Sequence, residues 1–414
     1  MRTLFARVLW LVLCAASWPR PAAAQSDATQ QGAQQAATAP AVAGATLEGP
    51  AASPLPDDPK AAQPLSLQPV AGAEPEPSSA LGWWWKHTTP VPIAFYTPEN
   101  QVGLGAGLMS SWLMKGAFPD RPSNVTMYGV YTTRRQTILG ISHELHFAED
   151  RFVVAQELRY IDWPDRYYGI GNATRAADRE DYTDHYWQLE SELQYRALSR
   201  LYLGLRHQLR VSETNDLPAD SSLALERPHG VGRLLWSGFG PVAVWDTRRG
   251  LFWPAGGSLL RADATFFRPY FGADFSASLY RLDLRHYQPL WLDHVLAMRF
   301  VTFAAAGSPP FQLVPSLGGA LLFRGWYLGR LRERVLLATE LEYRVPLSLR
   351  WALVAFGSLG RVADSIGELS PRGLHAAGGG GVRLAVRPES RANFRLDAAY
   401  GDELYVYFQF REAF

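Results

Sequence analysis

The chain has one cysteine, Cys14, in 414 residues. That cysteine sits in a segment built like a secretory signal. Arg2 and Arg7 supply positive charge, Val8–Ala16 is a short apolar core, and Ala22-Ala23-Ala24 offers a small-residue cleavage site before Gln25. Leu13, directly before Cys14, is not the small residue that lipoprotein attachment wants. With residues 1–24 removed, the mature chain is expected to hold no thiol, which excludes disulfides and thiolate metal sites. Long hydrophobic runs are also lacking. No later segment has the roughly 18 consecutive apolar residues of a spanning helix, so a mature chain that lives in a membrane has to close its backbone hydrogen bonds as a barrel. Charge is sparse as well. Charged residues make up 19% and the formal net charge is +1, which leaves no bulk attraction for nucleic acid. No histidine and carboxylate spacing suggests a metal, and no cofactor is expected.

Aromatic side chains, in contrast, are plentiful at 13%, with 18 Tyr and 14 Trp. Amphipathic rings of this kind collect where an apolar surface meets water. Residues 25–87 are rich in Ala, Pro, Gln and Gly and cannot bury enough apolar area to offset ordering entropy, so a disordered periplasmic leader is expected there, closed by Trp83-Trp84-Trp85. From about residue 88 the pattern turns to period two. Leu201, Leu203, Leu205, Leu209 and Val211 alternate with Arg206, Gln208 and Arg210. Leu337, Leu341 and Val345 alternate with Glu340, Glu342 and Arg344. A strand alternates faces, and here an apolar face backs a charged one, strand after strand. About sixteen such segments are expected, with short connections such as 148–150 and 387–391 alternating with long ones such as 163–182 and 307–333. The predicted fold is all-β: a transmembrane antiparallel barrel over 88–414, with the 307–333 loop folded into the lumen. Pro90 and Pro92 remove ladder donors from the first segment, so a short, weakly paired first strand is expected. In the last segment, Leu404–Phe414, the even positions Leu404, Val406, Phe408, Phe410 and Phe414 form an apolar row for lipid, interrupted by Glu412.

Catalytic sets are not apparent. Ser142 and His143 are neighbours on a strand and so point to opposite faces. His146 is close by, but no nucleophile and orienting partner accompany it at a useful spacing, and an enzyme is not expected. Gly103, Gly105 and Gly107 thin one face of a strand; no helix follows to make them a phosphate loop.

Four stretches resemble the BamA/TamA superfamily of outer-membrane assembly and translocation barrels, the bacterial surface antigen family. They are Asp246-Thr247-Arg248 with Pro254, Gly256 and Gly257; Leu317-Gly318-Gly319 with Phe323-Arg324-Gly325-Trp326; Glu342-Tyr343-Arg344 with Pro346-Leu347; and Arg395-Leu396-Asp397 followed by the strand to Phe414. Tyr167-Tyr168-Gly169-Ile170-Gly171-Asn172 and Tyr96-Thr97-Pro98-Glu99 further resemble short members without folded N-terminal domains. The resemblance implies that Arg324 of the loop is held by Glu342, with an aspartate one strand later. Ser358 stands where that aspartate is expected, and Asp364 and Asp397 are the other acids that could serve. A guanidinium in the lumen needs a paired carboxylate, and Gly325 lets the backbone turn beside it.

The resemblance implies work in outer-membrane biogenesis, inserting or translocating protein or lipid through a lateral seam between the first strand (Pro90, Pro92, Tyr96) and the last (Phe408, Phe410, Phe414). The implied partners are outer-membrane lipid and lipopolysaccharide, client outer-membrane proteins, and the assembly machinery that reads a terminal aromatic strand. A homo-oligomer stays open. A passive channel, or a structural or lipid-interacting barrel, is the alternative reading.

Overall fold

A computed structural model describes residues 88–414 apart from 113, 115–122, 226–227, 251, 388–390 and 411. The expected signal segment, the leader and Trp83–Trp85 lie outside the described residues.

Sixteen antiparallel strands close into a barrel. They are β1 (Thr88–Thr97), β2 (Gln101–Trp112), β3 (Ser123–Thr132), β4 (Thr137–Phe147), β5 (Phe152–Tyr167), β6 (Glu180–Leu198), β7 (Leu201–Asn215), β8 (Gly232–Asp246), β9 (Gly257–Phe267), β10 (Ala277–Pro289), β11 (Val295–Gly307), β14 (Val335–Pro346), β15 (Trp351–Ala363), β16 (His375–Arg387), β17 (Ala392–Tyr400) and β18 (Leu404–Phe410). Between β11 and β14, a two-residue hairpin of β12 (Ser316–Leu317) and β13 (Leu331–Arg332) belongs to the long loop. The connections at the end where β1 begins are mostly tight, as at 148–151 and 199–200. Those at the other end include 168–179, 216–231 and 308–334.

The period-two pattern sorts the two faces. Outward positions are apolar. Leu104, Leu139, Leu205, Leu341, Leu353 and Leu396 are all exposed, as a wall in hydrocarbon requires. Two aromatic belts rim this band. Phe147, Phe152, Tyr195, Trp245 and Trp351 lie near the tight-turn end, and Tyr131, Tyr160, Trp187 and Tyr280 near the other. On β5 the eight residue steps from Phe152 to Tyr160 cover about 20 Å of depth once strand tilt is allowed for, close to the thickness such a band spans. Inward positions carry buried ions that neutralise one another: Arg206 with Glu190 and Glu192, Arg261 with Glu192 and Asp263, and Arg285 and Arg299 with Asp283. Charge can occupy the interior because each guanidinium meets a carboxylate; an unpaired ion there would cost several kcal/mol.

Two expectations at the strand ends need correction. The first strand is not short. β1 runs ten residues and pairs with β2 along all ten, from Thr88↔Ser110 to Thr97↔Gln101. Gly103 makes this close pairing possible, since a Cβ there would meet the Phe95 ring at 2.1 Å. The weakness is confined to the other edge, where β1 meets β18 at the single pair Tyr96↔Phe408. The last strand, for its part, stops at Phe410, and Phe414 is not a lipid-facing or seam residue. Its ring is 5% exposed and clusters with Tyr287, Val295, Ala297 and Ala413, and its carbonyl accepts from Arg344 at 3.0 Å. Glu412 likewise turns in, accepting from Arg383 at 2.6 Å and Asn393 at 2.9 Å. The physical reason lies in β1. Continuing the Tyr96↔Phe408 register would set Pro92 against Glu412 and Pro90 against Phe414. Prolines offer no N–H there, whereas the lumen offers two arginines and an aromatic contact.

Candidate functional site

The 308–334 loop carries the residues singled out by resemblance, and its centre is Arg324. This side chain is fully buried. Its Nε and Nη2 donate to Glu340 at 3.1 and 2.6 Å, Nη2 also to Glu342 at 2.7 Å, and Nη1 to Asp397 at 2.7 Å. Beneath it the Phe356 ring lies 3.5 Å from the guanidinium carbon, a cation–π contact that strengthens when desolvated. Glu340 and Glu342 reach the same site because they are two apart on β14 and so share a face. The network widens from there. Glu342 also accepts from Arg344 at 2.9 Å, and Asp397 from Arg383 and Arg395 at 2.5 and 3.2 Å. With Glu412 on Arg383, Arg324, Arg344, Arg383 and Arg395 balance Glu340, Glu342, Asp397 and Glu412. A neutral network of this density is what lets four guanidinia stay buried.

Ser358 is buried beside this cluster, opposite Glu340 in the ladder, but its hydroxyl makes no hydrogen bond within the described structure. The acids that serve in place of an aspartate at that position are Glu340 and Asp397; Asp364 instead pairs with Arg334 at 3.2 Å. Glu340 had a sequence signal, lying on the same charged face as Glu342. Asp397 had a weaker one, because its strand reaches Arg324 only through closure of the barrel.

Around Arg324 the loop touches both sides of the β1–β18 seam. Gly325 N–H donates to the Tyr407 hydroxyl of β18 at 3.0 Å, and Gly325 carbonyl accepts from Asp402 N–H at 3.1 Å. Gly325 has φ +99°, and a Cβ would come within 2.8 Å of the Tyr400 carbonyl carbon, so glycine is required twice over. Trp326 donates its indole N–H to the Ala376 carbonyl at 3.1 Å and meets His375 edge-on. Arg330 pairs with Asp402 in the β17–β18 turn at 3.1 Å. On the other side of the seam, Leu328 N–H donates to Glu99 in the β1–β2 turn at 3.0 Å. The Tyr167–Asn172 stretch also meets the loop, through Tyr168 against Tyr327 and a bridge from Gly171 to Arg332.

The Asp246 motif forms the connection between β8 and β9. Arg248 folds back on Asp246 with two contacts of 3.0 and 2.8 Å, and Gly256 bridges to Arg249. Pro254 presents its carbonyl to Arg344 at 3.4 Å, and Trp253 reaches Ala320 of the long loop as well as Phe356 and Tyr407. This turn and the Phe414 ring therefore lie under the arginine cluster from the tight-turn end. Of the histidines considered for chemistry, His143 faces outward and Ser142 inward. His146 faces inward between Glu144 and Asp150 at 2.9 and 2.5 Å, and its backbone N–H donates to the Ser123 hydroxyl at 3.0 Å.

No family model matches the chain, and no curated sequence does either. Solved structures do. BamA from Haemophilus ducreyi lacking POTRA domains 1-3 is similar at 12% identity, with a TM-score of 0.56 over 78% of this chain and 70% of that one. CdiB from Acinetobacter baumannii gives 13% and 0.50 over 78% and 59%, and CdiB from Escherichia coli 14% and 0.52 over 78% and 62%. At such identities the likeness establishes the fold, a sixteen-stranded transmembrane barrel. The chain spans about 60–70% of the length of these structures.

Proposed function

We propose that this chain is an outer-membrane barrel of the BamA/TamA type that acts in outer-membrane biogenesis by opening between β1 and β18. The observation that carries the reading is the asymmetry of β1, which pairs at ten positions on one edge and at one on the other. An unpaired strand edge is a template for an incoming strand. The loop 308–334, lying within the lumen, holds both sides of this edge through Tyr407, Asp402 and Glu99, so its position decides whether the seam parts. Just outside the seam, a lipid-facing depression of about 760 Å³ runs over Pro92, Ala106, Gly129 and Leu139 toward Tyr160 and Trp187. A thin apolar wall there suits an entering strand or displaced acyl chains. The partners this implies are membrane lipid, lipopolysaccharide and client barrel proteins.

The test is a disulfide across the seam. Tyr96→Cys with Phe408→Cys places two thiols on directly opposed positions of the one ladder pair. Locking it in cells is expected to reproduce the outer-membrane proteome and lipid asymmetry seen on depletion, with reversal on reduction. A locked barrel with an unaltered outer membrane, in cells where depletion does alter it, would remove the seam from the mechanism. Depletion without any such change would remove the biogenesis role itself.

A further inference from the structure

The connection between β8 and β9, residues 247–256, is built for more than a turn. It has ten residues, against four at 148–151 and two at 199–200 at the same end of the barrel. Two antiparallel strands that only needed joining are served by about two to five residues. Its neck is narrow. Thr247 N–H donates to the Ser258 carbonyl at 2.8 Å, Arg249 N–H to the Gly256 carbonyl at 2.8 Å, and Ala255 N–H to the Arg249 carbonyl at 2.9 Å. Asp246 holds Arg248 beside this neck through both carboxylate oxygens. The tip beyond the neck carries Phe252, Trp253 and Pro254, and both rings are buried.

What buries them is the opposite wall. β8 and β18 are eight strands apart in either direction around the sixteen, so a segment that leaves β8 and touches β18 has crossed the lumen. Trp253 lies in one cluster with Ala352, Val354 and Phe356 of β15, Ala399 of β17 and Tyr407 of β18. The Phe252 ring centre is 6.5 Å from that of Phe410, the last residue of β18. Arg344 of β14 holds its guanidinium carbon 4.9 Å from the centre of the Trp253 ring and donates to the Pro254 carbonyl at 3.4 Å. Tyr407 is therefore gripped twice. Its hydroxyl accepts the Gly325 N–H of the 308–334 loop, and its ring packs in the Trp253 cluster. Burial of aromatic rings outweighs a single ladder hydrogen bond, and β18 has only one pair with β1.

We propose that residues 247–256 form a strap across the tight-turn mouth of the lumen, which covers the inner face of β15 and braces β18 from inside. The 308–334 loop enters from the long-connection end and the strap from the other. They meet at Ala320, which the loop contributes to the Trp253 cluster. Withdrawing the strap uncovers Ala352 and removes one of the two grips on Tyr407. Access from the tight-turn end and looseness of the seam edge therefore rise together. The placement of the strap stands apart from the function proposed above; only its use, a release of the seam worked from the tight-turn end, rests on that reading.

The experiment uses the full chain in nanodiscs. Ala352→Cys places a thiol on β15 under Trp253, and a water-soluble maleimide is expected to label it slowly while the strap is intact. Adding Phe252→Ala and Trp253→Ala is expected to speed labelling roughly tenfold or more, and to speed hydrogen exchange along β18. Exchange in β4 and gel heat-modifiability should stay those of the folded barrel. Trp253→Leu alone, a milder change, should move both readouts in the same direction by less. Fast labelling with the strap intact, equal labelling with and without its rings, or unchanged exchange in β18 would each overturn the proposal. A protected thiol and a released β18, in a protein whose seam disulfide alters nothing in cells, would leave the strap standing and remove only the biogenesis reading.

Discussion

The two edges of β1 are made from the same ten residues yet behave differently. Toward β2 every residue has a partner, and Gly103 lets the strands pack tightly beneath Phe95. Toward β18 one pair forms, because Pro90 and Pro92 withhold donors and the end of β18 finds better partners in the lumen. The stability of that region therefore comes from contacts that pass through the barrel rather than around it. Arg324 ties the loop to β14 and β17, Gly325 ties it to β18, and Leu328 ties it to the β1–β2 turn. Under the proposed function, a seam held this way would be released by moving the loop, with a single ladder pair to break.

Removing the central tie should have the largest effect. Arg324→Ala leaves Glu340, Glu342 and Asp397 facing one another without their shared cation. Breaking a buried pair in this way costs about 3–5 kcal/mol. The urea midpoint of the folded barrel in micelles is expected to fall accordingly, and the 308–334 loop should become sensitive to added protease. Arg324→Lys should recover only part of this, since a single ammonium cannot span three carboxylates as a planar fork does. A midpoint within error of wild type, with the loop still protected, would mean that the seam is held elsewhere.

The Phe414 anchor should come next. Its ring closes a cluster with Tyr287, Val295 and Ala297, and Phe414→Ala is expected to cost about 2–3 kcal/mol, less than a deep core phenylalanine because the site lies at the barrel mouth. The comparison sharpens if a disulfide between Ala94→Cys and Phe410→Cys forms faster in this variant, as a freed strand end would allow. An unchanged rate would show that the seam does not depend on where the chain end lies.

The barrel was legible from alternation because a strand between lipid and a charged lumen has two chemically distinct faces, and the sequence records each face at every second residue. Arg324 and its first partner were legible through resemblance, and Glu340 lay on the face already read as polar. What escaped was set by closure. Asp397 could be named only as one acid among others, since its strand meets Arg324 across the lumen. Phe414 and Glu412 fit the alternation of β18, yet the inward pull of Tyr287, Arg344 and Arg383 outweighs two more pairs with a proline-bearing edge. Periodicity describes a strand's faces and says nothing of where pairing ceases to be favourable.

A smaller change should act from the β1 side. Pro90→Val with Pro92→Val returns two N–H groups to the strand. With each hydrogen bond worth about 1 kcal/mol net, the β1–β18 edge gains up to roughly that amount per restored pair. Slower disulfide capture between Ala94→Cys and Phe410→Cys is not the outcome to look for, since a better-paired seam brings those positions together. The expected readouts are faster capture there and fewer opening events by hydrogen exchange at Ala94 and Tyr96. Exchange as fast as in wild type would mean that the prolines are not what keeps this edge open.

The smallest expected effect is a pH dependence at the loop tip. Glu99 is fully buried in the β1–β2 turn and accepts from Leu328 N–H, while its second oxygen finds no partner among the described residues. Burial holds its carboxyl above the ordinary range, against the opposing pull of the Thr97 hydroxyl and the Leu328 amide. A carboxyl raised in the folded state is protonated there first. Its burial penalty is therefore absent below the ordinary carboxylate pKa, about 4.3, and grows as pH rises through the raised folded value. The tie between loop and turn should thus be firmer in mild acid and loosen toward neutrality, by well under the cost of Arg324→Ala. Hydrogen exchange at the Leu328 amide reads this directly, after correction for the intrinsic rate. Protection should fall with rising pH in wild type and stay flat in Glu99→Gln, which keeps the acceptor and removes the titration. Parallel profiles for the two proteins would assign the pH dependence to another group and leave the Glu99 contact a fixed support of the seam.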